Sequence, residues 1–219
     1  MSRAAFFRVE GTLIAPPAIA AAAWLAANAH GFGQRIARLG NLALATPLAI
    51  AGELTAGKTA SRITWMGIRG MSDDRIALLG EEYFEEHLAG RASTLGRELL
   101  TRAKTESRRI VFVSDHIDVM MRPLAEELGA DDLICNRLEI RNGRATGRLE
   151  EPVVGGGIAG QLARAFAVEH EIDLEDSWAY GARSSDALLL SAIGHPCAVN
   201  PDWQLRRLAR DHHWPVVDP

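Results

Sequence analysis

The chain begins with a short apolar run, Ala4-Ala5-Phe6-Phe7, that stops at Gly11-Thr12, the pattern of a buried strand feeding a loop. From residue 17 to about 66 the rhythm is helical and rich in Ala and Leu, broken near Gly31-Phe32-Gly33, Gly40-Asn41 and Gly57. Ser72 is placed to cap the next helix, with Asp73 and Asp74 at the favourable end of its dipole. Ile76, Leu79, Tyr83, Phe84 and Leu88 then form one apolar stripe opposite Glu81, Glu82, Glu85 and Glu86. A further helix is predicted from Ser93 to Thr105.

After that the pattern changes. Arg109 to Val113 reads as a continuous apolar strand, with Ser114-Asp115-His116 at its carboxyl end and a helix running on to Leu128 and Gly129. Leu133 to Leu138 is strand-like, and Arg141-Asn142-Gly143-Arg144 is a type I′ hairpin signal. Gly155-Gly156-Gly157 leads into a helix carrying Ile158, Leu162 and Phe166. A strand at Ser177–Tyr180, a helix through Leu188–Leu190, a strand at Cys197–Asn200 and a last helix from Asp202 complete the chain. Strands alternating with helices predict an α/β fold, a doubly wound parallel sheet with ligands at the carboxyl ends of its strands. Residues 1–15 and 92–219 are expected to form this core, and 16–91 an inserted α-helical cap.

Composition narrows the partners more than the fold. The 219 residues carry 28 acidic and 24 basic side chains, a net charge of -4, so no basic footprint for nucleic acid is expected. Cys135 and Cys197 lack CxxC spacing and read as buried small hydrophobes in a reducing, cytoplasmic setting. Leu13 to Gln34 holds no charged side chain, but Pro16-Pro17, Asn28 and His30 interrupt it, and a span wants about 20 strongly apolar residues. Membrane-surface contact is therefore not expected. A second uncharged stretch, Leu39 to Gly52, gives the cap more apolar surface than one small module needs, so a homodimer or protein partner is expected to meet it there.

The loops at the strand ends resemble those of the haloacid dehalogenase (HAD) superfamily, in the branch that contains phosphoserine phosphatase. Phe6-Phe7-Arg8-Val9-Glu10-Gly11-Thr12-Leu13 is similar to the first motif, F-D-x-D-G-T-L, and Val111-Phe112-Val113-Ser114 to the second. Val154-Gly155-Gly156-Gly157-Ile158-Ala159 stands where the branch has G-x-G-K, and Tyr180-Gly181-Ala182-Arg183-Ser184-Ser185-Asp186 where it has Y-G-D-S-x-x-D. The resemblance implies a Rossmann-like core with a helical cap and a phosphatase-like chemistry. In that chemistry one aspartate of motif one attacks phosphorus and the other serves as acid and base. A lysine steadies the phosphate, and Mg²⁺ held by carboxylates neutralises developing charge.

Against that pattern, this chain has exchanged several groups. Arg8 takes the nucleophile position and Ile158 the lysine position. Glu10 keeps a carboxylate at the acid/base position, Ala182 replaces one metal-ligating carboxylate and Asp186 remains as the other. Gly11, Thr12 and Ser114 are as the family has them. Two readings of Arg8 follow. In one it pairs with Asp186 or Glu10 and holds the loops together; in the other it joins Gly11, Thr12, Ser114 and Arg183 in an anion pocket. Ser114 is read first as a helix cap, and Asp115-His116 as a solvated helix start. The expectation is a phosphatase-fold protein that has lost catalysis and binds a small phosphate-like anion or a protein partner, with no cofactor. The alternatives are an active phosphoric monoester hydrolase using Mg²⁺, and an assembly protein docking through its apolar cap.

Overall fold

In the computed structural model, which describes residues 2–15, 17–28, 64–155 and 157–219, six parallel strands form one sheet. β1 (Ala4–Arg8) lies at its centre, beside β2 (Arg109–Ile117), which pairs outward with β3 (Asp132–Asn136). On the other side of β1 stand β6 (Trp178–Gly181), β7 (His195–Val199) and β8 (Val216–Val217), giving the order β3-β2-β1-β6-β7-β8. Chain direction therefore reverses its progress across the sheet around β1, and a crevice opens at the carboxyl ends of β1, β2 and β6.

Side-chain alternation explains why both faces are covered. Phe7, Ile110, Phe112 and Tyr180 point to one face, which packs on α1 (Ala18–Ala27), α2 (Asp73–Tyr83), α3 (Thr94–Thr105) and α4 (Asp118–Leu128). Ala4, Phe6, Val111, Val113 and Ala179 point to the other, covered by α5 (Ile158–Glu169), α6 (Ala187–Leu190) and α7 (Trp203–Asp211). A strand enclosed on both faces has no polar side, which is why β1 reads as an unbroken apolar run.

A separate antiparallel hairpin joins β4 (Leu138–Arg141) to β5 (Arg144–Leu149). Its turn has positive φ at both Asn142 (50°) and Gly143 (68°), the requirement of a type I′ turn. The hairpin docks on the segment before α2, where Gly70 N–H donates to Ala145 O at 2.7 Å and Ala145 N–H to Met71 O at 2.8 Å.

Several local expectations change. β2 runs four residues past Val113, to Ile117, so Ser114, Asp115 and His116 lie in a strand rather than at a helix start. Ser72 occupies the N-cap of α2 without a side-chain cap bond, whereas Ser93 caps α3 by accepting from Gly96 N–H at 3.0 Å. Beyond Tyr83 the helix continues as a wider π-turn, Phe84–Leu88. The breaks expected at Gly31–Gly33, Gly40-Asn41 and Gly57, and the apolar stretch Leu39–Gly52, lie outside the described residues. Among the described residues, no helix is long and apolar enough to cross a membrane.

Candidate functional site

The crevice at the sheet's carboxyl edge is filled by one guanidinium. Arg8, the last residue of β1, is almost wholly buried, its side chain only 3% exposed. Its Nε lies 2.8 Å from Asp186 Oδ1, and one Nη lies 2.8 Å from Asp115 Oδ2 and 3.4 Å from Glu10 Oε2. Three loops that are far apart in sequence thus converge on one cation: the first-motif loop, the end of β2 and the loop after β6.

Two of the three carboxylates are also held by other groups. Asp186 Oδ2 accepts from the N–H groups of Ala182 and Arg183, both at 2.9 Å, which fixes the loop after β6. Glu10 Oε1 accepts from Ser114 Oγ at 2.5 Å and from Asp115 N–H at 3.0 Å, and lies 2.7 Å from His116 Nδ1. The arrangement requires β2 to remain extended through His116, and Asn136 supports it by donating to Asp115 O at 2.8 Å. Gly11 completes the first loop with φ +89°, and a Cβ there would lie 2.7 Å from the Ala182 methyl. Only glycine accommodates both constraints.

Electrostatics follow from this packing. Burial would lower the basicity of Arg8, but Asp115, Asp186 and Glu10 together more than offset it and hold the guanidinium firmly protonated. Burial would raise the Glu10 carboxyl, yet Arg8 and the contact with His116 hold it well below the usual carboxylate range. Asp115 behaves oppositely: burial raises it, and Glu10 adds to the rise against the pull of Arg8. One guanidinium thus faces three carboxylates.

Arg8, Glu10, Ser114 and Asp186 do meet, and the pairing of Arg8 with Asp186 and Glu10 is the geometry found. The anion pocket expected of Arg8, Gly11, Thr12, Ser114 and Arg183 does not take that form. Thr12 Oγ1 donates to Arg8 O, Ser114 Oγ donates to Glu10, and Arg8 faces carboxylates; only Arg183 is left half-buried beside Gly11. Ser114 does not cap a helix, because α4 starts at Asp118 with no side-chain cap bond. His116 is fully buried against Glu10 rather than solvated. Sequence reasoning favoured a solvated helix start for Asp115 and His116, whereas both belong to this cluster. No local signal marks them, because Ser114, Asp115 and His116 are all polar and show no alternation. Ile158 sits half-buried at the first position of α5, and it contributes no charge to the site.

The Mg²⁺ implied by the resemblance does not fit these residues. A divalent cation of this kind wants several hard oxygen ligands in an open octahedral arrangement. Here the Arg8 guanidinium already engages the Asp115, Asp186 and Glu10 oxygens, and Ala182 supplies a methyl group where a carboxylate is needed. Among the described residues, no group of three or more His, Cys, Asp or Glu side chains is arranged to hold a metal ion.

Comparison with known proteins places this geometry in context. The sequence model of haloacid dehalogenase-like hydrolases matches residues 5–191. A phosphoserine phosphatase of Mycobacterium tuberculosis is 28% identical over 221 residues, covering 100% of this chain and 71% of that protein. Among solved structures, a Bordetella pertussis protein of unknown function superposes with a TM-score of 0.84 at 23% identity, covering 100% of this chain and 99% of the other. A substrate-bound phosphoserine phosphatase superposes with a TM-score of 0.72 at 20% identity, covering 99% and 93%.

Proposed function

Because the chain belongs to the haloacid dehalogenase-like hydrolase family, in its phosphoserine phosphatase-like branch, we propose that it is a phosphatase-fold protein in which phosphoryl transfer has been given up. The observation that carries this reading is the seat of Arg8. A guanidinium has no lone pair to attack phosphorus, and it neutralises the carboxylates that would otherwise call for a metal. Its polar edges already face Asp186, Asp115 and Glu10, so the guanidinium is not free to receive a phosphate either. The crevice is then a structural clasp, and the protein acts by binding elsewhere on its surface, to a small molecule or a protein partner, including a second copy docked on the cap.

A second reading, an active phosphoric monoester hydrolase with an atypical site, draws support from the phosphatase name of its relative and from the carboxylate kept at Glu10. It would need Glu10 or Asp115 as nucleophile or base, although both are engaged by Arg8. Steady-state assays with p-nitrophenyl phosphate and phosphoserine, with and without MgCl2, separate the two. We expect wild-type protein to release phosphate no faster than Glu10→Gln protein. Mg²⁺-dependent turnover that disappears in both Glu10→Gln and Asp186→Asn would establish the second reading instead.

A further inference from the structure

At the opposite pole of the sheet, the amino ends of β6 and β7 border a cavity of about 560 Å³ that the Arg8 cluster does not touch. Its origin lies in the topology. α3 covers β1 and β2 on this face, but among the described residues no helix lies over β7 and β8, so the outer half of the face stays open. In the parallel register Trp178 stands beside His195, and Tyr180 beside Cys197, so four side chains line the same face. The segment 212–217 forms one wall, and Leu99 and Arg102 of α3 form the other.

Two properties of the lining select a ligand. The first is flatness. Trp178 is sandwiched between the Arg108 guanidinium, 3.2 Å from the ring centroid, and the His195 imidazole, 4.4 Å away and tilted by 17°. Across the cavity, His212 stacks on Trp214 at 5.2 Å and 22°. His195 keeps 47% of its side chain exposed, which leaves room for another planar layer on the stack. The second is charge. Among the described residues no carboxylate lines the cavity, whereas Arg102, His195, His212 and His213 all offer N–H donors. Arg102 and Arg108 share a single carboxylate, Glu106, which leaves their side of the cavity positive; Asp176 approaches His195 at 4.0 Å. Arg108 is itself buried, and its Nη1 has no hydrogen-bond partner. The volume falls in the range of small-molecule sites.

We infer that this cavity binds a planar aromatic anion, its ring layered on the Trp178–His195 stack and its anionic group facing Arg102 and the histidine N–H groups. Nucleoside monophosphates and aromatic carboxylates share that chemistry. The inference is independent of whether the Arg8 site turns over, because the two lie at opposite ends of the strands. It is tested by titrating the intact protein with adenosine 5′-monophosphate and, separately, with indole-3-carboxylate, following the indole N–H resonances of Trp178 and Trp214 by NMR. Saturable shifts of both resonances by at least one probe are expected, and the probe that saturates at lower concentration identifies the source. The uncharged counterparts, adenosine and indole, should bind at least about tenfold more weakly, and Arg102→Ala should weaken the anion by a similar factor. Trp178→Leu should abolish the response at Trp214, with an unchanged melting temperature reporting that the fold is kept. The inference is overturned by the absence of saturation with either anion up to about 10 mM, by equal binding of the uncharged compounds, or by an unaltered response in Arg102→Ala.

Discussion

Replacing Arg8 with leucine removes the guanidinium that faces Glu10, Asp115 and Asp186 while keeping most of the aliphatic volume. Arg8 and two of its partners, Glu10 and Asp186, are at most 3% exposed, so solvent screens these pairs little. Breaking a buried pair by removing one partner costs about 3–5 kcal/mol, because the remaining charge is stranded. Here three carboxylates are stranded around one void, so the loss at pH 8 should reach about 4–5 kcal/mol from a total on the order of 10 kcal/mol. With a urea m-value of about 2 kcal/mol/M, the unfolding midpoint should fall by roughly 2 M.

The pH dependence gives this prediction its sharpest edge. In the wild type Glu10 is held below its unfolded value, so its contribution is fully present above about pH 4.3 and is lost only as pH falls toward the depressed folded value. Without Arg8 burial dominates, and the folded carboxylates take up protons above their unfolded range. The variant then gains about 1.4 kcal/mol for each proton and each pH unit of acidification in that window. The gap between variant and wild type should therefore be clearly smaller at pH 5 than at pH 8. Urea titrations followed by far-UV circular dichroism at both pH values measure it. A midpoint shift below about 0.5 M at pH 8, or the same shift at both pH values, would refute the assignment of Arg8 as the buried counter-ion.

Other substitutions probe the surrounding scaffold. Gly11→Ala combines a left-handed φ of +89° with a 2.7 Å approach to Ala182, and should cost about 2 kcal/mol, read as a melting temperature lower by roughly 4–8 °C. Ser93→Ala removes the α3 cap and the 2.6 Å bond from Ser93 Oγ to Thr12 O, and a thermal melt should show about 1–2 kcal/mol lost; Ser93→Thr should recover most of it. The combined change Arg8→Asp, Ile158→Lys and Ala182→Asp should create Mg²⁺-dependent hydrolysis of p-nitrophenyl phosphate, because it returns the nucleophile, the lysine and a metal-ligating carboxylate to loops that already converge. Activity indistinguishable from wild type in a folded triple variant would show that the loop geometry has drifted along with the charges.

The succession of strands and helices along the chain, β8 (Val216–Val217) excepted, and the positions of the four loops were readable from apolar runs punctuated by glycine, because a strand enclosed on both faces leaves little sequence ambiguity. The encounter of Arg8 with Asp186 and Glu10 was readable too, since residues at neighbouring strand ends in such a sheet have nowhere else to meet. Asp115 and His116 were not. Read locally, Ser114-Asp115-His116 looks like polar punctuation before a helix. What keeps β2 extended is nonlocal: Glu10 takes the Ser114 hydroxyl and the Asp115 N–H, and Asn136 takes the Asp115 carbonyl. Ser72 illustrates the converse, a residue type suited to capping whose backbone instead bridges to Arg144.

The ion cluster also has a bearing on how long the folded state lasts. Arg8 and Asp115 are 107 positions apart, and Glu10 is separated from Ser114 and His116 by 104 and 106. Such contacts form only after β1, β2 and β6 lie side by side, since their loop-closure entropy is repaid by the sheet that precedes them. Interactions absent from the folding transition state act chiefly on the unfolding rate. The guanidinium at the centre of the crevice is therefore a latch in time as well as in space. It should leave the speed of folding largely untouched and slow the escape from the native state, so that one buried side chain lengthens the kinetic lifetime of the molecule.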